Sequence, residues 1–140
     1  MNLQFNMAVH ILIFLSKHHE EQFTSTEIAE SVCVNPVQLR RVLSILNQQE
    51  LIYSKKGKSG GYAAIESCED IVLGDLYRLF ASSQPASKVY TGSKENDCLI
   101  SQNIETIMSA HQEALYLKNA QYFDQFTVKD IKNEILTGAY

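Results

Sequence analysis

Cysteine is scarce and widely spread. The 140 residues hold three, Cys33, Cys68 and Cys98, and no two of them form a CxxC arrangement. That excludes a zinc ribbon or a thioredoxin-type redox motif. A dispersed, odd-numbered set also gives no disulfide framework of the kind that staples small secreted chains. Long apolar runs are missing too. The longest, "MAVHILIFL" from Met7 to Leu15, is nine residues and contains His10, which is too short to span a bilayer. It has no basic n-region and no small-residue cleavage site, so it does not read as a signal peptide. It reads as a buried helix, and the expectation is a cytoplasmic protein with no membrane partner. Also absent are the catalytic arrangements. His10, His18, His19 and His111 have no metal-ligand spacing with the cysteines. His18 and His19 are expected to be exposed loop residues. There is no Ser/His/Asp set and no carboxylate pair to argue for catalysis, so the chain is not read as an enzyme and no metal site is expected.

Positive charge is in short supply overall but concentrated locally. Lysine and arginine number 12 against 16 acids, a formal net charge of −4. Residues 1–66 carry six basic and six acidic side chains, and residues 67–140 carry six and ten, so the deficit lies wholly in the second part. Within residues 36–62, however, Arg40, Arg41, Lys55, Lys56 and Lys58 face a single acid, Glu50. A local excess of positive charge inside an acidic chain marks a candidate anion-binding face.

The hydrophobic pattern places these charges on elements. Phe5, Val9, Leu12 and Ile13 fit helical spacing in residues 3–18. "TSTEIAESVCV" pairs Thr24 with Glu27 as a capping box and then gives a short helix on Ile28, Ala29 and Val32. In "VNPVQLRRVLSILNQQ", Asn35 suits the N-cap and Pro36 the first helical position, and Gln38 stands where a capping box takes Glu or Gln. Leu39, Val42, Leu43 and Leu46 form the buried stripe, leaving Val37, Gln38, Arg40, Arg41 and Ser44 outward. Two short helices across a turn of about three residues have helix-turn-helix spacing. Leu51–Tyr53 and Tyr62–Ile65 then read as paired strands. Gly57, Gly60 and Gly61 between them are expected to supply positive φ in the turn. Neither GxxxxGK[ST] nor GxGxxG is present, and strand-like sequence follows the glycines, so "KKGKSGGY" is a basic hairpin tip and not a phosphate loop.

Further on, a helix is expected from about Leu73 to Ala81. A polar stretch with Pro85 and Gly92 follows, and then a long helix from Leu99 to about Phe123. Ile100, Ile104, Ile107, Met108, His111, Leu115 and Tyr122 share roughly one side of that helix. This face is wider than one small domain needs, which points to burial against a second subunit. Thr127 and Asp130 open a last short helix. The fold class is therefore mainly α with a small β-hairpin. A winged helix-turn-helix DNA-binding domain occupies residues 1–82, a linker loop residues 83–97, and a dimerisation helix with a C-terminal helix residues 98–140.

The stretch "EIAESVCVNPVQLRRVLSILNQQELIYSKKGKSGGY" followed by "IVLGDLYRLF" resembles the Rrf2 family of bacterial winged-helix transcription regulators. That family has a similar order: "IA", a turn, a recognition helix with "L..VL..L", a "GLV.S..G..GGY" wing, then "I.L.D". The resemblance covers roughly residues 25–80. It implies a homodimeric regulator that binds double-stranded DNA at a palindromic promoter operator, in the role of a repressor. Cluster-binding members carry three closely spaced cysteines between the wing and the long helix. Here that segment has Cys98 alone, with Cys68 thirty residues earlier and Ser101 three positions after Cys98. One local thiolate per subunit cannot surround an iron–sulfur cluster, so no cofactor is expected. The first helix starts neutral, with only Asn2 and Gln4 for any phosphate contact.

Base reading is expected from the start of the recognition helix, through Val37, Gln38, Arg40, Arg41 and Ser44. Lys55, Lys56 and Lys58 suit phosphate or minor-groove contacts. For input, Cys98 at a helix start is the better candidate for a reactive thiolate, opposed by Asp97 and Glu95 beside it. Cys33 is either a buried, inert residue or the resolving thiol. The resemblance implies that the long helix crosses to the partner, near its helix-turn-helix. A Cys98–Cys33 disulfide between subunits would need Cα atoms within about 7 Å. Cys68, flanked by Glu66, Glu69 and Asp70, is the weakest sensor. Two other readings remain open: a winged-helix module that binds protein and not DNA, and a regulator sensing a small-molecule ligand.

Overall fold

The first helix, α1 (Leu3–Lys17), carries apolar side chains round much of its circumference and is accordingly packed on several sides. Phe5, Met7, Ala8, Ile11, Leu12 and Leu15 are all buried. Asn2 caps its start by accepting from the Phe5 N–H at 3.0 Å. Elements then follow as α2 (Ser25–Val32), α3 (Pro36–Gln48), β1 (Ile52–Lys55), β2 (Gly61–Ala64), a 3-10 turn (Cys68–Asp70), α4 (Leu73–Phe80), α5 (Leu99–Phe123) and α6 (Val128–Thr137). This computed structural model describes residues 2–82 and 89–138. The expected element order and the ends of the long helix match. Part of the expected linker loop, residues 83–88, lies outside the described residues.

The two strands pair antiparallel with Ile52 opposite Ala64 and Lys55 opposite Gly61. Phe23 extends this ribbon by a bridge to Tyr62, with N–H···O bonds of 2.9 and 2.7 Å in the two directions. The three wing glycines have different reasons for being glycine. Gly57 has φ of 109°, a conformation that disfavours any side chain. Gly60 has no positive φ. The backbone of Lys55 and Gly57 fills the place where its Cβ would stand. At Gly61 a Cβ would meet the Phe23 carbonyl oxygen at 2.7 Å. Close approach of backbone, not turn conformation, is what the last two require.

Two corrections concern helix ends. His18 lies in the turn after α1, as His19 does, but it is half-buried and not exposed. It caps the end of α1, its N–H donates to the Phe14 carbonyl, and its ring packs 4.9 Å from Phe14 and 5.6 Å from Phe23. At α3, Asn35 Oδ1 accepts from the Val37 N–H at 2.8 Å, one residue short of the Gln38 position that a capping box would use.

The C-terminal segment returns onto the body. Thr127 bridges Val72, and Val128 is fully buried. Thr127 and Asp130 form the expected capping box. Arg78 on α4 holds Asp124 through two N–H···O contacts of 2.7 and 2.6 Å. Lys132 on α6 reaches both Glu69 and Ser16. Only the last turns of α5 join the core: Ala120 is buried, and the Tyr116 and Phe123 rings pack on Tyr77 at 5.5 and 5.4 Å. Its first half leaves Leu99, Ile100, Ile107 and Met108 exposed, while the chain at Gly92 and Ser93 lies against Ser101 and the half-buried Ile104. Among the described residues, no helix is long and apolar enough to cross a membrane.

Candidate nucleic-acid interface

Helix α2 starts at a complete capping box, Thr24 with Glu27, and buries Ile28, Ala29 and Val32. The charge-assisted bonds from Thr24 hold the Glu27 carboxyl below its ordinary pKa. The helix ends on Cys33 in the left-handed region, φ 60°. That conformation turns the chain sharply, so that Asn35 can cap α3 only two residues later. Leu39, Val42, Leu43 and Leu46 of α3 are all fully buried. Helical geometry then leaves Val37, Gln38, Arg40, Arg41 and Ser44 on the other side, and all five are exposed. Val37 is 62% exposed, a large apolar side chain on an otherwise polar face.

The wing supplies the second half. Lys55, Lys56 and Lys58 are exposed around the Gly57 turn. With Arg40 and Arg41 they make five exposed cations, none ion-paired among the described residues. Of the other described cations, Arg78 is tied to Asp124 and Asp75 and Lys132 to Glu69, whereas Lys17, Lys94, Lys118 and Lys129 also lack an ion pair among the described residues. Cations held in ion pairs stabilise a fold, whereas cations left free keep their charge available to an outside anion. The sequence identifies Tyr53 only as a strand residue. In the fold it is 51% exposed, two positions before Lys55 on the same outward side of β1. Period-two alternation with buried Ile52 is the signal that places it there.

A helix-turn-helix and a basic hairpin, joined to a long bare helix, narrow the candidates for relatives. The profile of Rrf2, described as an iron-dependent transcriptional regulator, matches residues 1–134. The chain belongs to the Rrf2 family. It is 25% identical over 135 residues to YwnA of Bacillus subtilis, named as an HTH-type transcriptional regulator, covering 96% of this chain and 98% of YwnA. A crystal structure of a transcriptional regulator from Lactobacillus plantarum superposes with a TM-score of 0.81 at 30% identity, over 96% of this chain and 91% of that one. CymR, the global cysteine regulator of B. subtilis, shares the fold at a TM-score of 0.61 and 21% identity, with 95% of each chain covered. The winged-helix architecture and the DNA-binding regulator class are thereby established for this Rrf2 protein.

The family description speaks of iron, and the donor set tests it. Among the described residues, no three His, Cys, Asp or Glu side chains come together as ligands. The three cysteines lie on separate elements. Cys33 ends α2, Cys68 is buried in the 3-10 turn with its thiol against the Leu12 carbonyl, and Cys98 caps α5. This set does not fit iron held within one subunit.

The thiols themselves differ sharply. Cys33 is exposed, which removes the buried, inert alternative for it. Cys98 is exposed too, and the backbone N–H groups of Ser101 and Ile100 in the first turn of α5 draw its pKa below that of an ordinary thiol. The nearby acids do not reverse that effect. Burial, assisted by Glu69, pushes Cys68 up to about 11.

Proposed function

We propose that this Rrf2 protein is a homodimeric repressor that occupies a palindromic promoter operator and releases it on thiol oxidation. The observation that carries the DNA-reading part is the exposed face of α3, with Arg40 and Arg41 on it, followed by a wing that exposes Lys55, Lys56 and Lys58, none of the five ion-paired among the described residues. Val37, Gln38, Arg40, Arg41 and Ser44 read bases and adjacent backbone in the major groove. Lys55, Lys56 and Lys58 hold phosphate. Gln is suited to adenine and Arg to guanine by bidentate geometry. Residues 1–82 act as the DNA-binding unit and residues 98–140 as the dimerising unit, joined through residues 83–97.

Dimerisation is supported by the exposed apolar side chains Leu99, Ile100, Ile107 and Met108 in the first half of α5. Two α3 helices must reach successive major grooves, about 34 Å apart, to read a palindrome. The redox input is supported by the exposure of Cys33 and Cys98 and by the lowered pKa of Cys98. A Cys98 thiolate attacks a peroxide, one oxygen is transferred to sulfur and the other leaves as water. The partner's thiol, at the position of Cys33, then displaces water from the sulfenic acid to close a disulfide. Strain at the left-handed Cys33 would move the turn that fixes α3. A second reading, a small-molecule signal, is favoured by a cleft of about 560 Å³ between the start of α1, α4 and α5, lined by Tyr77, Gln112, Asn119 and Tyr122 among others.

The test is binding to promoter DNA over a range of salt, with and without peroxide. Replacing Lys55, Lys56 and Lys58 together by Gln should weaken binding to every sequence. It should also flatten the log–log salt slope by up to about one unit for each phosphate no longer neutralised. An unchanged slope would remove the wing from the interface. DNA affinity indifferent to peroxide would remove the redox input and leave the ligand reading.

A further inference from the structure

The exposed face of α3 contains one side chain that hydrogen bonding does not account for. Gln38, Arg40, Arg41 and Ser44 can each pair with a base edge or phosphate, and Val37 can pair with neither. Val37 is nonetheless 62% exposed. Its position is tightly set. Pro36 occupies the first helical position, and the Asn35 carboxamide holds the Val37 N–H at 2.8 Å. Valine in a helix has essentially one χ1 rotamer. The two methyl groups are therefore presented in a fixed direction, on the same outward side as Arg40, Arg41 and Ser44. A rigid apolar surface at the start of a base-reading helix has one complement in the major groove, the C5-methyl group of thymine.

We propose that Val37 reads a thymine methyl in each half-site, so that the operator carries a required thymine at the position facing the start of α3. This rests on the DNA-reading assignment above. The methyl contact adds specificity without charge: it is insensitive to salt, unlike the lysine contacts, and distinguishes an A·T pair by its orientation.

The test begins by selecting duplexes from a random, unmethylated DNA pool with the full-length protein. An unmethylated pool makes thymine, not 5-methylcytosine, the source of the methyl. Each thymine of the selected duplex is then replaced by deoxyuridine, which removes the methyl and nothing else. One symmetry-related thymine per half-site should respond, with affinity falling about fourfold for one methyl and roughly fifteenfold for both, as expected for a buried methyl-sized group. Val37→Ala, which withdraws both γ-methyls from the groove, should show a clearly smaller deoxyuridine penalty than wild type. Because Val37 lies outside the core, that variant should keep its fold and its salt slope. A selected duplex with no deoxyuridine-sensitive thymine would overturn this inference alone, as would an equal penalty in Val37→Ala. A pool yielding no preferred duplex would overturn the DNA-reading assignment itself, and this inference with it.

Discussion

Helices α3 and α5 both carry an apolar stripe, yet they end in opposite states. In α3, thirteen residues long, Leu39, Val42, Leu43 and Leu46 are completely covered by the same chain. In α5, twenty-five residues long, Ala120 alone is buried, while Ile107 remains 54% and Leu99 74% exposed. Periodicity is a statement about which residues share a face, and it does not say who covers that face. For α3 the cover is α1, α2 and β1, near in sequence. For the first half of α5 the described residues offer only the short stretch at Gly92 and Ser93, which lies against Ser101 and Ile104 and leaves Leu99, Ile100, Ile107 and Met108 exposed, and the largest predicted effect follows from that difference. Replacing Ile104 and Ile107 together by Glu should convert the protein to a monomer in sedimentation and abolish specific binding to a palindromic site. Retained dimers would show that this face serves something else.

The opposite helix gives the matching prediction. Leu43→Ala should cost about 2–5 kcal/mol of stability, because it removes buried methyl groups and leaves a cavity. Ile107→Ala, measured at protein concentrations low enough to hold the chain monomeric, should stay within about 0.5 kcal/mol of wild type. Denaturant melts of the two variants check both values. Similar losses in both would mean that the two stripes are not different in kind.

The same contrast separates what is legible in the sequence from what is not. Caps and stripes are local, so Thr24 with Glu27, Asn35, Thr127 with Asp130, and the ends of α5 can be read directly. Backbone close approach is not local. Gly60 and Gly61 are glycines because Lys55 and Phe23 come near them in space, and no turn rule reveals Phe23. The ties that dock the C-terminal segment are invisible for the same reason: Arg78 and Asp124 are 46 residues apart, and Glu69 and Lys132 are 63 apart. Candidate DNA contacts are legible because outward residues are simply those left over by the buried stripe. Tyr53 is not, since the strand is too short for its alternation to stand out. Cys33 stays open between two states in the sequence because its left-handed backbone, which exposes it at the end of α2, follows from the turn and not from its neighbours.

The thiols allow a finer comparison of covered and bare positions. With a disulfide-exchange reagent at neutral pH, Cys98 and Cys33 should react in the folded protein, Cys98 the faster of the two. Cys68 should react only on unfolding, since burial raises its pKa to about 11. Assigning the labelled peptides by mass checks the order. Early labelling of Cys68 would mean that the 3-10 turn opens in the native state.

The smallest effect concerns the ties between the C-terminal segment and the body. Arg78 holds the Asp124 carboxyl below its ordinary pKa, and Lys132 does the same for Glu69. A carboxyl whose pKa is lowered by folding contributes stability above its unfolded value. That contribution is lost as pH falls through the lower, folded value. The two ties should therefore be intact at neutral pH and weaken only below the ordinary carboxylate range, about pH 4. Both are partly exposed, so salt and solvent screen them and the gain is modest. Arg78→Gln and Lys132→Gln should lower the neutral-pH melting temperature slightly and make the acid limb of the stability profile shallower. At a pH below both folded pKa values the variants and the wild type should converge. Parallel curves with a constant offset at every pH would show that Arg78 and Lys132 act through packing of their aliphatic stems, and that the charges add nothing to the hold of the apolar contacts and the Val72–Thr127 bridge.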